Sequence, residues 1–386
     1  MRKIKAATLS IIAATYAVAI HAEPRFMQGG TAGFVVSDIK YALGPDASET
    51  GACPAGMSKN VVEIYIEEHG IVRGEGETEG DFNRRVRRDS RIYSQSPEGK
   101  NYCSFPELAQ PDPHFKTVQR SDIKVRGINI DGRASLNDFL DAQGNRGIDN
   151  QFFRVVGCSR SFQSEGLSNH FVTTMKTGAW GITIQLSGLD DIKNDNEVKV
   201  VIAANADPIQ LSAARDALPY ATYARSQDPR FRAETTARLV DGVLTSDPVD
   251  MRFHKVVNSM ILERPLQQAR VVATLTEEGL LNGYLAGYTP VEALYDFVYG
   301  YRSGKTSEGE LSPLRERSAN GTAFVLGHTC NGGYYALKEH ADGLPDPETG
   351  LFTAISTQYE FSAIPAFIVD VETKSLNSEL TPGRLL

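Results

Sequence analysis

The chain has 386 residues, with 40 Lys and Arg against 48 Asp and Glu, for a formal charge of −8. An acidic surface of this kind repels nucleic acid and anionic membranes, so neither is an expected partner. With 41% hydrophobic residues, 34 Gly and 18 Pro, the composition describes a globular chain rich in turns rather than a disordered one or a helical bundle.

Residues 1–22 begin with Arg2, Lys3 and Lys5, continue through an uncharged run from Ala6 to Ile20, and end in small residues at Ala17, Ala19 and Ala22. That layout is a secretory signal peptide, and its removal moves the formal charge from −8 to −11 because it carries three cations and no anion. No later apolar run approaches the roughly 20 residues that a spanning helix needs. The expectation is therefore a periplasmic or extracellular chain without a membrane span. All four cysteines, Cys53, Cys103, Cys158 and Cys330, lie beyond the leader. An even number in an oxidising compartment favours disulfides over free thiols, and the preferred pairing is Cys53 with Cys103 and Cys158 with Cys330.

Residues 23–120 read as an N-terminal region of strands and loops packed on the core. Phe34 to Val36 is a short apolar run, and Val62, Ile64 and Ile66 alternate with Val61, Glu63 and Tyr65 as a brief strand would. The stretch from Gly74 to Gly80 is a solvated loop. Arg84, Arg85, Arg87, Arg88 and Arg91 follow on a short helix starting near Asp81, offset by Glu75, Glu77, Glu79, Asp81 and Asp89. From Pro97 to Pro113 no period is visible, and a surface loop is expected.

Residues 121–288 form the expected central sandwich-like region. Asp131, Asp138, Asp141, Asn145 and Asp149 crowd a Gly-containing stretch. Such oxygens could cage a structural calcium ion, or simply bond their own backbone in turns, and the spacing is not that of an EF-hand. Trp180, Ile182, Ile184 and Leu186 have the period of a half-buried strand, with Trp180 placed in the core, and Val198, Val200 and Ile202 repeat it beyond an acidic turn from Ser187 to Asn196. Asp207-Pro208 opens a helix through Leu218. Val240-Asp241-Gly242-Val243 is a hairpin turn, and strands follow at 251–262 and 270–276.

Residues 289–371 complete the fold. Thr289, Pro290 and Glu292 make a capping box at the start of the clearest helix, a second short helix runs from Tyr334 to His340, and strand spacing returns at Ile355–Phe361 and Ala366–Ile368. Pro365 makes the last run a sheet edge or a bulge rather than a central strand. Residues 372–386 read as a flexible tail.

The fold class expected from these elements is mainly β, with sandwich-like antiparallel sheets and a few short inserted helices. The first functional expectation is a non-catalytic protein binding an extracellular glycan or envelope protein, with Tyr295, Tyr299, Tyr301, Tyr334 and Tyr335 as the contact surface. The alternatives are a carboxylate-dependent glycoside hydrolase or lyase and an assembly subunit of the cell envelope. For the enzyme, the candidate acids are Asp190, Asp191, Asp195 and Glu197 with Glu63, Glu67 or Glu68. No nucleophile elbow or H-E-x-x-H motif is present. His69, His114, His170, His254, His328 and His340 are scattered singly. Ser303-Gly304-Lys305-Thr306 lacks the upstream Gly of a phosphate-binding loop. Asn320-Gly321-Thr322 is a glycosylation acceptor only in a glycosylating host.

Overall fold

A computed structural model describes residues 23–166, 171–205, 207–257, 260–299 and 316–371. Residues 1–22, expected as a leader, residues 372–386, expected as a tail, His170 and the Ser303–Thr306 stretch lie outside the described residues. In chain order the strands are β1 (Met27–Gln28), β2 (Thr31–Tyr41), β3 (Phe139–Leu140), β4 (Arg146–Ile148), β5 (Ile182–Ser187), β6 (Asp195–Ala204), β7 (Ala221–Ala224) and β8 (Arg232–Val240). They continue with β9 (Val243–Ser246), β10 (Val249–Val257), β11 (Met260–Leu275), β12 (Leu281–Pro290), β13 (Gly343–Pro345) and β14 (Phe352–Val369). The helices are α1 (Ala47–Thr50), α2 (Val61–His69), α3 (Glu79–Asp89), α4 (Gln151–Val156), α5 (Val172–Lys176), α6 (Val291–Tyr299), α7 (Glu316–Leu326) and α8 (Cys330–Glu339).

Strands β2, β5, β6, β8, β9, β11, β12 and β14 pair in that order, every neighbour antiparallel, and β14 pairs back onto β2. The result is a closed eight-stranded barrel with extra strands and helices outside it, which corrects the sandwich expectation. Closure removes both open sheet edges. Its register sets Phe361 opposite Ile39 and Tyr359 opposite Tyr41. No local pattern reports a pairing between segments more than 300 residues apart.

The period of two identified part of what fills the barrel, at Ile184, Val200, Val271 and Phe361, but not at Phe34, Leu244 or Leu285. Phe34, Ile184, Val200, Leu244, Leu285 and Phe361 are buried in one continuous core that runs from Phe26 to Ala366. Trp180 is 1% exposed, as expected, and its ring meets Phe171 and Tyr359. At Gly283 the strands approach so closely that a Cβ would lie 2.1 Å from the carbonyl oxygen of Val272, so only glycine fits. The Asp241-Gly242 turn joins β8 to β9 with φ of 51° and 78°, as a two-residue hairpin requires. Pro365 marks an edge as expected: β14 is bulged between Ser362 and Ala363, and the run after Pro365 pairs with β7 alone among the described strands. The proline lies opposite Phe34 where β14 leaves the barrel to pair with β7.

Four further expectations are overturned: Thr289 and Pro290 do not open a capping box but end β12 opposite Ile355 and Ala354, with α6 starting at Val291, and three others concern 62–66, 207–218 and the cysteines. The Val62–Ile66 run is helical. Asn60 caps Val62 and Glu63, and the Glu63 side chain returns to the Asn60 amide at 2.8 Å, a capping box that outweighs local β-branching. Residues 207–218 form no helix but a turn-rich loop held by a Leu211–Ala217 bridge, with Ser212 Oγ accepting from the Ala214 and Asp216 amides. The disulfides are Cys53–Cys158 and Cys103–Cys330, the reverse of the expected partners. The fold brings the loop after α1 against the end of α4 and the loop before Pro106 against the start of α8, so proximity in sequence was no guide.

Candidate functional site

The helices and long loops pack on one part of the barrel wall, and between α2 and the start of α8 they leave a cleft of about 260 Å³. Its floor is the segment Pro111-Asp112-Pro113-His114, whose two prolines stiffen the backbone. The segment is tied to the approach to α2: the Lys59 amide donates to the His114 carbonyl at 3.3 Å, and the Lys116 amide to Ser58 Oγ at 2.9 Å. On the other side Asn331 Nδ2 donates to the Gln110 carbonyl at 2.8 Å, and Tyr335 Oη to that of Ala109 at 2.9 Å.

Asp112 organises the centre. Its Oδ1 accepts from the His114 amide at 2.8 Å and lies 3.1 Å from His114 Nδ1, while its Oδ2 accepts from Thr329 Oγ1. Thr329 is at the same time the N-cap of α8, accepting from the Gly332 amide at 3.2 Å. With Nδ1 donating to Asp112, the other ring nitrogen is left as the acceptor. That Nε2 faces Glu68 Oε1 at 3.9 Å. The Asp112 side chain is 8% exposed and that of His114 29%, so the orienting carboxylate is buried and the imidazole is open to the cleft. Tyr93 Oη donates to Glu68 Oε2 and sits 3.2 Å from His69 Nε2; the bond to Glu68 raises the phenol above its ordinary range. The start of α8 borders the same cleft through Thr329 and Asn331, and its Gly332 and Gly333 amides are taken up by the Thr329 hydroxyl and carbonyl.

Behind this cleft Ser159 Oγ and His328 Nδ1 lie 2.8 Å apart. Burial, with the charge of Arg160 adding to it, lowers His328 to about 3, and its ring packs edge-on against Phe115. It is a neutral core histidine.

Two larger depressions hold no comparable arrangement. One of about 610 Å³ beside Tyr284 has its cations already engaged, Arg126 with Glu360 at 3.2 Å and Lys124 with the Ala142 carbonyl at 2.7 Å. The other, about 740 Å³, is the groove at the acidic turn between β5 and β6, where Asp195 accepts from the amides of Asp190 at 2.8 Å and Glu197 at 3.0 Å.

Of the acids expected to support an enzyme, Glu68 alone reaches the 260 Å³ cleft. Glu63 is spent on the α2 cap and on Arg160, Glu67 pairs with Lys59, and Asp190, Asp195 and Glu197 line the β5–β6 groove instead. Asp191 caps the Lys193 amide at 2.8 Å. The tyrosine surface is not an exposed shelf. Tyr295 is 0% exposed and donates to the Cys103 carbonyl, Tyr334 is buried against Glu292, and Tyr335 is anchored at Ala109. Tyr301 and the Tyr299 side chain lie outside the described residues.

The carboxylates proposed for calcium are occupied with turns. Asp131 accepts from Arg133, Asp138 from both the amide and hydroxyl of Ser135, Asp141 from Asn145, and Asp149 from the Ile130 amide at 2.6 Å. Among the described residues no group of three His, Cys, Asp or Glu side chains is placed to hold a metal ion. Sequence reasoning missed Asp112, Tyr93 and Thr329 altogether and set His114 aside as solitary. The one available signal was the Pro-Asp-Pro-His run itself, since two prolines bracketing an acid make a rigid mount.

Among the described residues no helix is long and apolar enough to cross a membrane. Comparison with known proteins finds nothing similar: no family model matches the chain, and neither a curated protein nor a solved structure does.

Proposed function

We propose that this chain is an exported hydrolase whose working base is His114. The observation that carries this reading is the buried Asp112 carboxylate, which is fixed by Thr329 and in turn fixes the imidazole so that Nε2 meets the cleft beside Glu68. A base held by a buried acid, with its free nitrogen toward open space, is the arrangement needed to activate water. His114 Nε2 takes a proton as the water oxygen bonds to an acyl carbon. The imidazolium so formed lies between two carboxylates. When the bond to the leaving group breaks, the proton passes from Nε2 to the departing oxygen or nitrogen.

Acyl hydrolysis is favoured over the glycosidic cleavage first considered. Two carboxylates acting on a glycosidic bond must flank the sugar, about 5 to 9.5 Å apart with the ring between them. Here the space between Glu68 and Asp112 is filled by the imidazole. Elimination from an acidic sugar is disfavoured because the substrate carboxylate would face Glu68 and Asp112. Export is supported by the leader-like residues 1–22 and by disulfides that join positions 105 and 227 residues apart.

The test is release of p-nitrophenol from p-nitrophenyl acetate by the purified chain. His114→Ala should lower kcat/KM by about 10²- to 10⁴-fold with the fold unchanged by circular dichroism. Equal rates for the variant and the parent would remove the base from the mechanism and the proposal with it.

A further inference from the structure

We infer that Tyr65, His69 and Tyr93 form a stacking platform beside the cleft, and that the substrate presented to His114 is an acyl ester of a neutral glycan. The inference rests on the hydrolase reading for its reaction and on a separate set of contacts for its substrate. Tyr65 and His69 are four residues apart on α2 and meet with ring centroids 4.8 Å apart, tilted by 51°. Tyr93 stands edge-on to both, at 6.2 Å and 6.3 Å. It is also a wall of the cleft, and its hydroxyl bond to Glu68 holds the ring in place. Partly exposed rings on a helix, fixed by each other and by an ion, offer apolar area without the entropy of a flexible side chain.

Charge narrows the occupant. The charged side chains lining the cleft are Glu68, Asp112 and the His114 ring, and of the cations close by Lys59 is paired with Glu67 and Arg160 with Glu63, while Lys116 Nζ is turned onto the Pro113 carbonyl. Phosphorylated or uronic substrates would be repelled. A neutral pyranose has a C–H face that lies against aromatic rings and hydroxyls that donate to carboxylates, so it meets both halves of the surface. Of its bonds, an acyl ester at the rim is the one open to a single base attacking from one side. Water adds to the ester carbon, the alkoxide leaves on the sugar, and the proton held by His114 returns to it, giving a free hydroxyl and a carboxylic acid.

The experiment uses the full chain, its Tyr65→Ala and Tyr65→Leu variants, and two readouts. In the first, hydrolysis of acetylated cello-oligosaccharides is compared with that of p-nitrophenyl acetate. Loss of Tyr65 should raise KM for the sugar esters about fivefold to tenfold and leave the small ester unchanged. In the second, cellotetraose and tetragalacturonate are titrated while the tyrosine ring signals are followed by NMR. The neutral sugar should shift them, the anionic one should not, and Tyr65→Ala should abolish the shift. A platform variant with parental KM for sugar esters, or no response to cellotetraose, overturns the platform even if p-nitrophenyl acetate is cleaved. Cellotetraose binding that needs Tyr65, with no esterase activity in any form, keeps the platform and removes the hydrolase.

Discussion

Burial beneath the Ile130–Asp131 turn raises the Asp149 carboxyl to about 7, with the charges of Asp131 and Asp138 adding to the effect. Asp342 moves the same way, to about 6, chiefly by burial. A folded-state value above the unfolded one contributes stability that is complete below about pH 4 and is lost as pH rises through about 7. For Asp149 the contribution is at most on the order of 4 kcal/mol. His328 runs in the opposite direction. Its lowered value contributes stability present above about pH 6.5 and lost as pH falls toward 3. Because the two overlap, the residue to change is Asp149. Asp149→Asn keeps an oxygen for the Ile130 amide, and urea unfolding between pH 4 and 8 should show the variant losing less stability on the way up than the parent. Parallel curves would mean that the carboxyl is not titrating in that window. The acid-rich stretch containing Asp149 was legible in the sequence, but its burial was not.

At the scale of elements, α2 and α8 carry the site, and each is held by its first turn. The capping box from Asn60 to Glu63 was present in the sequence but was overridden by the alternation of Val62, Ile64 and Ile66. That alternation misleads because the apolar residues of α2 face different neighbours, with Ile64 alone fully buried. Thr329 caps α8 and holds Asp112 with the same hydroxyl, so it is a positioning residue. Thr329→Val should cost about 1 to 2 kcal/mol in unfolding free energy through the lost cap. It should also lower kcat more than it raises KM, because the imidazole loses its oriented carboxylate. Thr329→Ser should restore both. A variant with lowered stability but parental kcat would confine Thr329 to the helix. The start of α8 was seen only approximately from Tyr334 onward, since the chain before it has two adjacent glycines and little helical patterning.

For the whole molecule, closure of the barrel and the two disulfides divide the work. The barrel is filled by alternating apolar residues from strands between Thr31 and Val369, while the disulfides tie the external loops and helices that build the cleft. Cys103–Cys330 fastens the segment leading to Asp112 to the first residue of α8, immediately after Thr329. Peptide mapping without reductant should yield the joined fragments Cys53–Cys158 and Cys103–Cys330, and any other pairing would contradict this arrangement. Replacing Cys103 and Cys330 together by Ala should destabilise the chain by about 2 to 5 kcal/mol. The loss of esterase rate should exceed that of the Cys53 and Cys158 double variant, because only the former bridge borders the cleft.

From the order of its residues alone, this chain specifies the strands around Ile182–Leu186, Val198–Ile202 and Ile355–Phe361, the hairpin at Asp241-Gly242, a helix after Pro290 and the burial of Trp180. Each follows from side-chain period or from turn chemistry within a few residues. Closure of β14 on β2, the cysteine partners and the meeting of Glu68, Tyr93, Asp112, His114 and Thr329 were decided by tertiary structure. Those depend on contacts between distant segments, whose energies are set by packing in three dimensions and leave no trace in local spacing.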